Sequence, residues 1–199
     1  MSVLDNAIKE LRRIHKEFEV EGSFGEISHP EFNWPEALPR SFDTDYFFDN
    51  FDPVDVEFET GLTPICFFGL SALETGQLGY RWAGESDKTQ INGNWPSQYL
   101  VLMDDIGGGK PVIAVTDAPG TPILASYDAI EPFKIADSLS DFLLAFAKTM
   151  EIVHGEFEIF DIYDEADELS SRFVKLLNRE VSPLLGEENF ERFLDYFYG

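Results

Sequence analysis

The sequence contains almost no cysteine and no long apolar run. Its single cysteine, Cys66, excludes an internal disulfide, and we expect a buried, inert thiol because no basic residue adjoins it. No segment approaches the roughly 18 consecutive apolar residues that a membrane-spanning helix requires. The first ten residues, MSVLDNAIKE, lack the apolar region of a signal peptide. We therefore expect a soluble, cytoplasmic protein.

Basic residues are also scarce. The chain has 14 Lys and Arg against 38 Asp and Glu, which gives a net charge of −24 at pH 7. This balance disfavours binding to nucleic acid phosphates or to an anionic membrane surface. It would steer a basic partner toward the protein, but it equally suits an acidic surface with no particular partner. Charge alone leaves both interpretations open.

The motifs of common metal and catalytic sites are missing. His15, His29 and His154 lie in unrelated contexts, and without paired His or Cys spacing a zinc site is not expected. The run Gly107–Lys110 is followed by Pro111, whereas a phosphate loop needs Ser or Thr there to hold magnesium. We interpret this run as a hairpin turn, and we expect neither a cofactor nor a metal.

Acidic pairs are the only candidates for catalysis. Asp104 and Asp105 lie at the end of a predicted strand, and a second acidic cluster spans Asp161–Glu168. Paired carboxylates catalyse reactions only when their environments separate the two pKa values, and a sequence does not show this. With 38 acidic residues in the chain, such pairs also arise by chance.

The apolar pattern predicts one α+β domain with an antiparallel, largely meander sheet packed against helices. With 44% hydrophobic residues and 19 Phe, the chain can form a substantial core. Tyr99–Ile106, Pro111–Thr116 and Pro122–Tyr127 are separated by glycine turns, which predicts three antiparallel strands. A helix from about Ser138 to Met150 carries an apolar stripe that should lie across the sheet.

The other elements are predicted in the same way. A first helix is predicted over Ser2–Glu21, and Gly22 and Gly25 after it would terminate it. A second helix is predicted over about Arg40–Asn50, with Phe42, Tyr46 and Phe47 on its apolar side. Strands are predicted at Val54–Glu59, Pro64–Leu70 and Leu78–Trp82. After residue 150, an extended segment is predicted near Phe157–Ile162. Two helices are predicted to follow it, at Asp164–Val181 and Glu187–Tyr198. Residues 1–150 form the main domain, and residues 151–199 form a C-terminal helical extension packed on it.

Two surfaces are candidates for binding a partner. One is an acidic cluster that consists of Asp43, Asp45, Asp49, Asp52 and Asp55. It could bind a divalent cation, but it lacks the spacing of a calcium loop, and a solvated acidic face is the preferred interpretation. The other is the polar loop Ala83–Asn94 with its flanking Trp82 and Trp95, of which at least one is expected to pack in the core.

Several local patterns together resemble one protein family. They are Leu38-Pro39 opening a second helix, the segment Cys66–Leu73, Trp95 shortly before Tyr99–Asp105, the glycine turn before Pro111–Thr116, and Ala136–Leu143 at the start of the closing helix. In this order they resemble the SUKH superfamily, the Smi/Knr-like proteins, over roughly Leu4 to Thr149. The residues after Met150 lie outside the part that the resemblance covers.

The resemblance implies an α+β fold with an antiparallel sheet backed by helices, and no enzymatic activity. In the family that the chain resembles, many bacterial members look like immunity proteins that bind and neutralise a cognate toxin, often a nuclease. Other members, in eukaryotes, look like regulatory interaction proteins. Nuclease toxins are usually basic because they bind phosphate backbones, which agrees with the charge of −24. We therefore expect a non-enzymatic domain that binds a basic toxin domain. A regulatory domain without a toxin partner and a metal-dependent hydrolase that uses an acidic cluster are the alternatives.

Overall fold

The structure, a computed structural model, describes residues 2–25, 34–83, 90–127 and 131–199. In these ranges the strands form one seven-stranded sheet in which each strand pairs antiparallel with the next in chain order. The strands are β1 (Glu21–Gly25), β2 (Asp52–Phe58), β3 (Ile65–Phe67), β4 (Tyr99–Asp105), β5 (Val112–Val115), β6 (Ile123–Ala125) and β7 (Phe133–Ala136). The predicted α+β fold with a meander sheet is confirmed.

Serine side chains begin most of the helices. The helices are α1 (Val3–Glu17), α2 (Phe42–Phe51), α3 (Leu139–Glu156), α4 (Ser171–Glu180), α5 (Ser182–Leu185) and α6 (Glu187–Tyr198). Ser2, Ser41, Ser138 and Ser170 each accept a hydrogen bond from the backbone amide three residues later, which satisfies a donor that the first turn leaves free. These caps explain why the starts of α1 and α3 were predictable.

Apolar side chains pack on both faces of the sheet. Alternate residues of β5 point in opposite directions, so that Val112 and Ala114 join the main core while Ile113 joins a smaller cluster with Tyr80 and Val101. The main core lies between the sheet and the helices. The smaller cluster lies under the segment that connects β3 to β4, and Trp95 packs against it.

The two edge strands were not predicted. The first helix ends at Glu17 instead of continuing to Glu21, and the chain returns as β1. Gly22 lies at a register shift in β1 with φ +86°, a left-handed conformation that favours glycine. The polar sequence of β1 has no apolar alternation, so only its pairing with β2 identifies it as a strand. The four-residue β7 was too short for a pattern to reveal it.

The prediction of a strand at Leu78–Trp82 is wrong. This segment contains turns and single bridges, because Gly79 has φ +82° and interrupts an extended strand. The Gln77 side chain, not a neighbouring strand, connects the segment to β4. It donates to the Val101 carbonyl and accepts from the Val101 amide, each at 2.9 Å.

The segment between α3 and α4 also differs from the prediction. Phe157–Ile162 forms turns rather than an extended segment, since α3 continues to Glu156. The next helix begins at Ser171 instead of Asp164. The reason is local: the Asp164 carboxylate accepts the amide of Ala166 at 2.8 Å, which forms a turn that competes with a helix.

The C-terminal helices pack on the same core as the rest of the chain, as predicted. Phe193 of α6 lies 6.5 Å from Phe142 of α3, and Phe197 lies 5.9 Å from Phe146, measured between ring centroids. The predicted boundary at residue 150 falls inside α3, which both segments therefore share. Among the described residues, no helix combines the length and apolar character needed to cross a membrane.

Candidate protein-interaction surfaces

Helix α2 presents one buried side and one exposed side. Thr44, Phe47, Phe48 and Phe51 are buried against the core. The Thr121 hydroxyl fixes the start of the helix, since its oxygen lies 2.8 Å from the Ser41 hydroxyl and it donates to the Asp43 carboxylate at 3.2 Å. On the other side of α2, Phe42 and Asp49 are exposed and Asp45 is half-buried, while Tyr46 packs partly against the core.

This outer side carries aromatic rings among carboxylates. The Phe42 side chain is 81% exposed, and its ring lies parallel to the Tyr46 ring with 6.4 Å between centroids. The Arg40 guanidinium lies 5.2 Å from the Trp34 ring centroid and donates to Asp45 at 2.8 Å. We name this surface the α2 face. It consists of Trp34, Arg40, Phe42, Asp45, Tyr46 and Asp49.

Sequence reasoning placed Phe42 on the apolar side of α2, and that assignment is wrong. Phe47 and Phe51 are one turn apart and both buried, and together they define the inner side of the helix. Phe42 precedes Phe47 by five residues, which rotates it by about 140° from that side. The angular position of Phe42 around the helix, compared with that of Phe47 and Phe51, could thus have identified Phe42 as exposed.

The structure divides the predicted acidic cluster between different environments. Asp45 and Asp49 lie on the α2 face, and Asp43 is bound to Thr121. Asp52 is only 9% exposed and accepts the Leu70 amide at 2.6 Å, so it joins the start of β2 to the segment after β3. Asp55 lies exposed on β2 at φ +52°. These five residues do not form one site.

Asp55 instead belongs to a groove on the sheet face opposite the helices. The groove has a volume of about 340 Å³ and runs along β2 and β3. Its acidic side chains are Glu21, Asp55 and Glu57, and we name it the acidic groove. Carboxylates of this density would repel an anion and attract a Lys or Arg side chain.

Cys66 lies in the acidic groove. Its half-buried thiol is 3.7 Å from the Glu57 carboxylate. Burial, together with the charge of Glu57, raises the pKa of Cys66 to about 11, because both disfavour the thiolate. The thiol is therefore protonated at neutral pH, in agreement with the prediction that it is inert.

The two tryptophans of the second candidate surface are part of the packing. Trp82 is 3% exposed, and its indole donates to the Glu74 carbonyl at 3.2 Å. Trp95 is half-buried between the rings of Tyr80 and Tyr99, at centroid distances of 5.4 and 5.7 Å. The central residues of the predicted loop, 84–89, lie outside the described residues. Core packing is confirmed for Trp82.

The carboxylate pair Asp104 and Asp105 ends β4 and lies beside the glycine hairpin. Asp104 is buried, and its carboxylate accepts hydrogen bonds from the Tyr80 hydroxyl and from the amides of Asp105 and Lys110. Burial raises the pKa of Asp104, although the bond from Tyr80 acts in the opposite direction. In the part of the chain that is described, no group of three or more His, Cys, Asp or Glu side chains is arranged to hold a metal ion.

Comparisons with known proteins give no relative for this chain. No protein-family model matches the sequence. No curated protein and no solved structure matches it either. The resemblance to the SUKH superfamily therefore rests on the sequence patterns alone and stays a prediction.

Proposed function

We propose that the chain is a cytoplasmic protein-binding domain that recognises a basic protein through the α2 face. We further propose that it acts as an immunity protein of the SUKH type and that its partner is a toxin domain, for example a nuclease. The observation that carries the proposal is Phe42, an 81% exposed aromatic ring between carboxylates on a firmly capped helix.

The composition of the α2 face supports binding to a protein. Interfaces are enriched in aromatic residues and Arg, and a few buried aromatic side chains supply most of the binding energy. Covering Phe42 completely would contribute about 2 kcal/mol from the apolar area that it removes from water. Asp45 lies about one turn and Asp49 about two turns from Phe42 along α2, where Lys or Arg of a partner would reach them.

The net charge supports a basic partner. A protein of charge −24 attracts a basic domain over long distances and so accelerates association. Nucleases that act on nucleic acids carry basic surfaces, since they must bind phosphates. The acidic groove would extend the attractive surface if the partner reached the open face of β2 and β3.

The surroundings of Asp104 favour a structural role over hydrolysis. Both of its oxygens accept hydrogen bonds from the hairpin and from Tyr80. A carboxylate that is bound in this way holds the turn between β4 and β5 in place. This arrangement supports the proposal of a binding domain against the hydrolase alternative.

The test begins with the protein encoded next to this chain in its genome. We expect the purified pair to bind, with an association rate that falls as salt is raised. Phe42→Ala should weaken the affinity by at least about tenfold, as is typical of a central aromatic residue. Phe160→Ala is the matched control, because Phe160 is also exposed, at 66%, but lies outside the α2 face.

A second pair of variants tests the charge. Asp49→Lys should slow association, whereas Glu165→Lys changes the net charge equally at an exposed position after α3 and should have a smaller effect. If Phe42→Ala and Phe160→Ala bind equally well, the α2 face is not the interface. If no neighbouring gene product binds, the toxin hypothesis fails and the regulatory alternative replaces it.

A further inference from the structure

A second groove, of opposite charge, lies between α1 and β1. It has a volume of about 430 Å³, and we name it the basic groove. Its lining residues are Arg12, Arg13, His15, Lys16, Gly22, Ser23 and Phe24. No carboxylate occurs among these residues, although the whole chain contains 38 acidic side chains. The charged side chains that line the groove are therefore basic, although the protein as a whole is acidic.

Two of its cations have no acidic partner among the residues that the structure describes. Arg13 is bound to Glu10, Glu17 and Glu151. In contrast, neither Arg12 nor Lys16 forms an ion pair within the described ranges. They are four residues apart on one side of α1, where like charges repel each other and destabilise the helix. An anion between them would remove that repulsion.

The groove also borders an edge of the sheet, at which β1 pairs with no second strand among the described residues. β1 is the first strand of the sheet, and Phe24 lies opposite Pro53 of β2. Proline has no amide hydrogen, and the Pro53 carbonyl oxygen is directed toward Gly69, in the segment that follows β3, so Phe24 and Pro53 are a non-hydrogen-bonded antiparallel pair. The Phe24 amide and carbonyl therefore face away from β2, toward the position that another strand would occupy.

His15 connects the two sides of the groove. Its ring lies 4.5 Å from the Phe24 ring, and its Nε2 is 3.3 Å from the Glu21 carbonyl oxygen. This contact fixes α1 beside the edge strand. It also places the unpaired cations of α1 along the line that a strand added to β1 would follow.

We propose that the basic groove binds an extended acidic segment of a partner protein. The segment pairs with the edge of β1 through the Phe24 amide and carbonyl, and its carboxylates contact Arg12 and Lys16. Addition of a strand to a sheet edge is a common mode of peptide recognition in which backbone bonds supply affinity and side chains supply specificity. This inference goes beyond the proposed function, because it concerns a partner of opposite charge at a different surface.

An acidic peptide can approach this region despite the net charge of the protein. At about 0.15 M ionic strength the Debye length is about 8 Å, so that remote carboxylates are largely screened while contacts in the groove are not. A nucleic acid is the less favoured occupant, since its continuous line of phosphates would extend from the groove onto the acidic remainder of the surface.

The experiment uses fluorescein-labelled peptides with blocked ends and measures anisotropy at about 0.15 M salt. An eight-residue peptide of alternating Glu and Val is the probe. A peptide of alternating Lys and Val reverses the charge. One of alternating Glu and Pro keeps the charge but loses every second amide hydrogen and has proline rings that disfavour strand pairing. We expect the Glu–Val peptide to bind at least about tenfold more tightly than either of the others.

Two matched variants locate the site. Lys16→Glu should weaken binding of the Glu–Val peptide by at least about tenfold. Lys175→Glu should leave it unchanged, because Lys175 is equally exposed but lies on α4. Circular dichroism of both variants confirms folding. In addition, the Phe24 amide should exchange its hydrogen more slowly when the peptide is bound.

Several results would overturn the proposal. Equal binding of the Glu–Val and Glu–Pro peptides would exclude strand pairing. Absence of Glu–Val binding, or equal effects of the two lysine variants, would exclude the basic groove as its site. Equally tight binding of a labelled eight-nucleotide oligothymidine would show that the groove accepts any polyanion and is not specific for an acidic segment.

Discussion

The Tyr80 hydroxyl donates a 2.5 Å hydrogen bond to the buried carboxylate of Asp104. The same hydroxyl accepts the Gly109 amide at 3.0 Å. Tyr80 thus joins the segment that covers the sheet to the hairpin between β4 and β5. The two residues are 24 positions apart in the sequence, so the contact stabilises tertiary structure rather than a local turn.

We predict that Tyr80→Phe lowers the free energy of unfolding by about 2 kcal/mol, because it leaves the Asp104 carboxylate and the Gly109 amide without their shared partner. Urea unfolding followed by circular dichroism measures the change. Tyr99→Phe is the control, since its ring packs against the same small cluster without a recorded hydrogen bond from its hydroxyl among the described residues. Equal destabilisation by the two variants would contradict the prediction.

Gly69 should not tolerate a side chain. A Cβ atom at this position would lie 1.8 Å from the Pro53 carbonyl oxygen, so Gly69→Ala must displace the backbone of β2. We expect it to lower the free energy of unfolding by about 3 kcal/mol. At Gly93 a Cβ atom meets nothing within 4 Å, and Gly93→Ala should change stability by less than about 0.5 kcal/mol. A similar stability for the two variants would show that β2 can move away from Gly69.

The two sides of α2 should respond differently to alanine. Phe47 is 1% exposed, and Phe47→Ala should cost about 3–5 kcal/mol of folding free energy through lost packing and the cavity that remains. Phe42 is 81% exposed, so Phe42→Ala should change stability by less than about 0.5 kcal/mol. Thermal and urea unfolding give both values. A large loss of stability for Phe42→Ala would mean that the Phe42 ring stabilises the fold. Weaker partner binding by this variant would then reflect partial unfolding as well as the lost contact.

His154 should make the protein less stable in mild acid. Burial lowers the pKa of His154 below 6.5, although a hydrogen bond from its ring to the Glu59 carbonyl at 2.9 Å opposes the shift. The unfolded chain therefore binds more protons than the folded chain just below pH 6.5, and stability falls as the pH decreases through 6.5 toward the folded pKa. Below the folded pKa the loss is complete.

Urea unfolding between pH 8 and pH 5 measures this effect. This pH range covers both sides of the ordinary histidine pKa of about 6.5. His154→Gln keeps a donor for the Glu59 carbonyl and removes the titration, so its stability should fall less steeply in acid than that of the natural protein. Burial lowers the pKa of His15 in the same direction, so His15→Gln gives an independent comparison. An unchanged pH dependence in His154→Gln would contradict the assignment.

The acidic residues show the limit of reasoning from the sequence about the site. Asp49 and Asp52 are three positions apart and identical in chemistry, yet Asp49 is exposed and Asp52 is held by the Leu70 amide. Leu70 comes 18 positions after Asp52, and no local pattern signals that contact. The sequence therefore could not show that Asp52 lies apart from Asp45 and Asp49, which share a surface because helical spacing alone relates them. Partner binding by these aspartates stays a prediction.

The sequence by itself determined the α+β class, the limits of α6, the serine-capped starts of α1 and α3 and the glycine hairpin, because each depends on periodicity or on contacts within a few residues. It also determined the excess of negative charge. Only the tertiary structure decided that Glu21–Gly25 is an edge strand and that Phe42 is exposed. It likewise separated an acidic groove from a basic one, since these features depend on which distant segments cover each residue.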